Sequence, residues 1–146
     1  MGKPRVTAKI AGHALHPLLR PFAVAYFLAV GACDLVYAQA GTLAQYGAPE
    51  FASITRWLLI AGLVTAGLAA IVALIDFLGE ERFRNVPDLR MYAAGGALVV
   101  LLELYNLHIR AAAGAAAIVP MGLVLSLSAI VVLLATPSKA WARMYR

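Results

Sequence analysis

Long apolar runs separated by short polar breaks occupy most of this chain. Four of them, at residues 18–40, 57–78, 89–109 and 113–135, each approach the ~20 residues with which a helix crosses a ~30 Å hydrocarbon core. The pattern predicts an all-α, integral membrane four-helix bundle in a single domain over residues 17–137. Pro17 and Pro21 stand at the entry to the first span, where a proline in the first turn costs little because its N–H would lack a helical partner anyway. Gly41, Gly47 and Pro49 punctuate an outer loop over 42–54, and a charged connection over 79–88 ends near Pro87. Pro120 falls inside the fourth span, so a kink is expected there, with a freed carbonyl for neighbouring groups to satisfy.

Charge orients the bundle. If all four runs cross, Lys3, Arg5, Lys9, Arg20, Arg82, Arg84, Arg90, Lys139, Arg143 and Arg146 share one side, and only Arg56 and Arg110 face the other. That asymmetry predicts cytoplasmic N- and C-termini. Residues 1–16 read as a basic interfacial arm, with Val6 and Ile10 between cations in a short helix. Residues 138–146, with Trp141 and Tyr145, read as an interfacial C-terminal anchor. A chain 63% hydrophobic and 13% charged is no soluble globular domain. Its net charge of +5 lies beside the spans, which accounts for it without a nucleic-acid partner. Cys33 is the sole cysteine, so there is no disulfide framework. Val30–Cys33 and Ala38–Ala40 resemble signal-cleavage boxes, but the long basic start with histidines and prolines favours a retained first helix.

Three acids fall within the spans, Asp34, Asp76 and Glu103, and each costs about 2.5–3.5 kcal/mol at mid-membrane unless partnered. On the cytoplasmic side His13 and His16, three apart, approach the depth of Asp76. The three are candidate metal ligands; alternatively Asp76 holds an imidazole or caps a helix near Arg82 or Arg84. The outer group is Asp34, Glu103, Asn106 and His108, with Arg56 and Arg110 near the surface. Arginines bending inward to meet the carboxylates are the leading reading, and a proton or cation path through Glu103 and Asp34 is the alternative. Ser126 and Ser128 are expected to bond back to their own helix. No cofactor is specified: haem b would need two axial ligands at matched depth, and His16 and His108 belong to opposite faces. Small residues at Gly62, Ala66 and Ala70 in span two, and Gly95 and Gly96 in span three, offer faces for self-association or for other membrane subunits.

The run Gly12-His13-Ala14-Leu15-His16-Pro17-Leu18-Leu19-Arg20-Pro21-Phe22, continuing to Asp34-Leu35, resembles the opening of a bacterial membrane family catalogued as domain of unknown function 2231. Arg56-Trp57-Leu58-Leu59 leading to Leu74-Ile75-Asp76-Phe77 is similar to that family's second helix. The resemblance is good over residues 12–78 and implies a shared role for His13, His16, Asp34 and Asp76. It departs at Arg90-Met91-Tyr92, where the family usually carries a histidine, and at Thr136-Pro137-Ser138-Lys139. No complete catalytic motif stands out. The expectation is a non-enzymatic accessory or scaffold subunit of a larger membrane complex, respiratory or redox in kind. A haem- or metal-binding electron carrier and a small proton or ion transporter are the alternatives.

Overall fold

The computed structural model describes residues 9–10, 13–40, 48–79 and 88–136. Four helices carry the fold: α1 Leu15–Gln39, α2 Ala48–Gly79, α3 Leu89–Ala113 and α4 Leu123–Ala135. Three stretches are long and apolar enough to cross a membrane, Leu15–Gln39, Glu50–Gly79 and Leu89–Ala135. The last folds back on itself. Gly95 lies against Thr136, Asn106 bonds Ser126, and the Arg110 guanidinium abuts Gly122, so α3 and α4 form an antiparallel hairpin.

Helix limits depart from the hydropathy pattern at four places. α1 opens at Leu15, three residues before the apolar run, so that Pro21 lies inside the helix and not in its first turn; the other three each have a local reason. α2 begins at Ala48, nine residues before the apolar run. Pro49 suits a first turn and Glu50 complements the N-terminal end of the helix dipole, so the outer connection expected over 42–54 is helical from residue 48. α3 continues past residue 109 to Ala113, where Gly114 adopts φ 56°, a left-handed value that favours glycine. The fourth run is regular helix only over Leu123–Ala135, about 20 Å at ~1.5 Å per residue. Ahead of it come a 3-10 turn, Gly114–Ala117, and a wide π-type turn, Ile118–Gly122. Val119 breaks the latter at φ −125° and ψ 131°, the extended conformation imposed on a residue that precedes proline. The expected interruption at Pro120 is therefore present, one residue earlier and larger than a kink.

The helix expected in the basic arm is corrected at its described residues. Lys9–Ile10 (β1) pairs antiparallel with His13–Ala14 (β2) instead of forming a helix. The rest of the arm and the anchor over 138–146 lie outside the described residues.

All four helices meet in a core of Ala23, Phe27, Val99 and Ala129, with Leu63, Ala66, Leu102 and Val132 packed around it. Gly62 admits the Phe27 ring, which a Cβ there would meet at 2.7 Å. Large apolar side chains such as Phe22, Trp57, Ile71, Leu101 and Leu134 point outward. In water so apolar an exterior would aggregate, whereas in lipid it is the solvated face and the polar groups turn inward.

Candidate functional site: a polar network inside the bundle

Helical spacing builds the site. Val99, Glu103, Asn106 and Arg110 recur every three or four residues along α3 and form its buried stripe. On α1 the corresponding stripe, Phe27, Val30 and Gly31, leads to Asp34. Thr55 and Leu59 face inward from α2, and Ser126 and Ala129 from α4. Each helix thus delivers at least one polar side chain to the same interior region.

Arg110 is the hub, 3% exposed. Its Nη2 donates to Asp34 Oδ2 at 2.6 Å, its Nη1 to Thr55 Oγ1 at 2.8 Å and its Nε to Asn106 Oδ1 at 2.8 Å. Thr55 passes its own proton to the Phe51 carbonyl at 2.9 Å. Ser126 Oγ donates to Asp34 Oδ2 at 2.8 Å and accepts from Asn106 Nδ2 at 2.9 Å; the same amide nitrogen donates to Glu103 Oε2 at 3.0 Å. Donor and acceptor directions agree along the whole chain of bonds, the condition under which a buried network specifies one arrangement. Gly122 leaves room for the hub: a Cβ there would stand 2.6 Å from the Ala117 carbonyl oxygen and 2.8 Å from Arg110 Nη2. Within this network two buried oxygens, Asp34 Oδ1 and Glu103 Oε1, have no hydrogen-bond partner among the described residues.

Of the outer group expected from the sequence, Asp34, Glu103, Asn106 and Arg110 come together. Arg56 and His108 do not. Arg56 is exposed, because a step of one residue from inward-facing Thr55 turns the side chain about 100° around the helix. His108 is also exposed and stacks on Tyr105, with ring centroids 6.5 Å apart. Ser126 is a cross-helix link, not a hydroxyl folded back on its own helix. Thr55 and Gly122 are participants the sequence reading does not reach, and Ser126 takes a role other than the expected back-bond. The available signal was a hydroxyl on each of α2 and α4 at the depth of Asp34.

At the other end of the bundle His16 is 6% exposed. Its Nδ1 lies 2.9 Å from the Ala69 carbonyl oxygen, which fixes Nδ1 as the donor, and its Nε2 lies 3.4 Å from the Tyr92 hydroxyl. Arg20 stacks over the Tyr92 ring at 5.1 Å. Tyr92 therefore faces His16 from the stretch 90–92, where the resemblance departs. Asp76 is buried as well. The His13 side chain lies outside the described residues, so the proposed ligand set of His13, His16 and Asp76 is only partly in view. Among the described residues no three of His, Cys, Asp and Glu gather as metal ligands. Tyr92 and His108 are 16 residues apart on α3, or about 24 Å, so His16 and His108 do not meet on one iron within the chain.

The small-residue faces divide. Gly62 is buried against Phe27, and half-buried Ala66 and Gly95 pack on the core and on Thr136. Ala70 and Gly96 face outward.

A helical chain with an apolar exterior and its buried ionisable groups knitted together across all its helices is, by class, a membrane protein. It belongs to the family described as predicted membrane protein DUF2231, whose model matches residues 12–141. The match runs through α3 and α4, well beyond the part in which the sequence resemblance is clear. No curated protein and no solved structure matches the chain.

Proposed function

We propose that α1, α2 and both limbs of the α3/α4 hairpin cross a bacterial inner membrane with both termini cytoplasmic. On this reading the protein is a non-enzymatic accessory or scaffold subunit of a larger membrane assembly. The observation that carries it is how the polar groups are used. Arg110, Asn106, Thr55 and Ser126 spend their donors on one another and on Asp34, Glu103 and Phe51, a rigid clamp better suited to holding helices than to turning over substrate. Outward-facing Gly67 and Gly96 support the assembly role, since nothing lies within 4 Å of a Cβ built at either. Another membrane helix gains by approaching such places closely.

Extraction in native lipid discs followed by native mass spectrometry tests the reading. A scaffold subunit runs as a stoichiometric complex that Gly67→Leu and Gly96→Leu dissociate; a monomer carrying only lipid contradicts it. The second reading is a redox carrier at His13, His16 and Asp76: Nδ1 of His16 donates to the Ala69 carbonyl, the arrangement that leaves Nε2, here turned to Tyr92, as the ligating nitrogen, but among the described residues no three ligands gather around it. A transporter through Glu103 and Asp34 would have to break the clamp in each cycle.

A further inference from the structure

The charges in the network do not balance. α1 supplies the Asp34 carboxylate, with the Cys33 thiol next to it in sequence; α3 supplies Glu103 and the Arg110 guanidinium; α2 and α4 supply the uncharged hydroxyls of Thr55 and Ser126. Two carboxyl groups therefore share one cation. That cation is committed elsewhere: its three hydrogen bonds go to Asp34, Thr55 and Asn106, and none to Glu103. Among the described residues Glu103 receives one hydrogen bond, from the neutral Asn106 amide at 3.0 Å on Oε2, and its Oε1 has no partner. It is 0% exposed. It stands 14 residues from the start of α3 and 10 from its end, about 21 Å and about 15 Å along the helix, far from either mouth of the bundle.

An ionised carboxylate is stable in such a place when it accepts two or three N–H donors or faces a cation. With one neutral donor and a second carboxylate in the same network, the group neutralises instead. We propose that Glu103 is a proton-binding site at membrane depth, its carboxyl holding one proton on Oε1 as the counter-charge that Arg110 does not supply. Oε2 stays the acceptor for Asn106, so the observed bonds are kept. Release of that proton leaves the network with a second negative charge and sets Glu103 in competition with Asp34 for Arg110. The inference does not depend on the scaffold reading.

Infrared spectroscopy of the full chain in phosphatidylcholine nanodiscs at neutral pH tests it. The chain has four glutamates, Glu50, Glu80, Glu81 and Glu103. The expected result is a protonated-acid C=O band that moves down in frequency when glutamate is labelled with carbon-13 at the carboxyl, and that Glu103→Gln abolishes. If that variant does not fold, Glu50→Gln, Glu80→Gln and Glu81→Gln made together in the labelled chain must leave the band in place, and its loss there overturns the proposal. Absence of an acid band, a band that responds only to labelled aspartate, or one that persists undiminished in Glu103→Gln overturns the proposal.

Discussion

Arg110 concentrates the consequences at the level of single residues. Replacing it with methionine keeps the length of the side chain but leaves Asp34 buried without its cation, a change expected to cost about 3–5 kcal/mol. Reversible unfolding in mixed micelles would measure it. Glu103→Gln keeps the shape of the side chain and the acceptor for Asn106, so a loss within about 1.5 kcal/mol, as for a near-isosteric change, is expected from the same measurement. Gly122→Ala puts a methyl group against the Ala117 carbonyl and the guanidinium. Because one of those contacts is backbone, the change should destabilise by about 1–3 kcal/mol, with Arg110→Met relieving part of the loss.

Among the elements, glycines on one helix should respond in opposite ways. Gly62→Leu collides with Phe27 and Tyr26 and should lower the thermal stability of the isolated chain. Gly67→Leu, on the open side, should leave it unchanged. Equal losses at both positions would mean that the outward surface of α2 is misassigned. The helices themselves were legible because hydropathy reports burial in lipid, yet their ends were not. Ala48–Ile54 is amphiphilic sequence whose helicity rests on Pro49 and Glu50 at its start, and hydropathy is blind to caps. In the fourth run the apolar pattern is continuous through 113–135 while the backbone is not, since the pre-proline restriction on Val119 and the left-handed Gly114 act on torsions and leave no mark on polarity. The site was legible in part for a similar reason. Asp34 and Glu103 announce themselves as charges in lipid, but choosing Arg110 over Arg56 requires the helix phase; Ser126 looks like an ordinary span residue, and Thr55 precedes the apolar run, until their neighbours are known.

At the scale of the whole molecule, a small membrane bundle lacks the hydrophobic drive that closes a soluble core, and its shape depends on close packing at Gly62 and Gly95 together with the polar clamp. Proposed cytoplasmic termini imply that, in a Cys33→Ser background, single cysteines at Arg84 and Arg143 are labelled by an impermeant maleimide only in inverted vesicles. A cysteine at Gly47 should be labelled only from the outer side. Labelling of Arg84 and Gly47 positions from the same face would break the four-span arrangement. The most direct measurement is a double-mutant cycle on Asp34→Asn and Arg110→Met, with unfolding free energy as the readout. A clamp in which the two charges hold α1 to α3 predicts that the double variant is more stable than the sum of the single losses allows, by a coupling of roughly 1–3 kcal/mol. Losses that simply add would mean that Asp34 and Arg110 do not act on each other, and the polar network would not be what joins the helices.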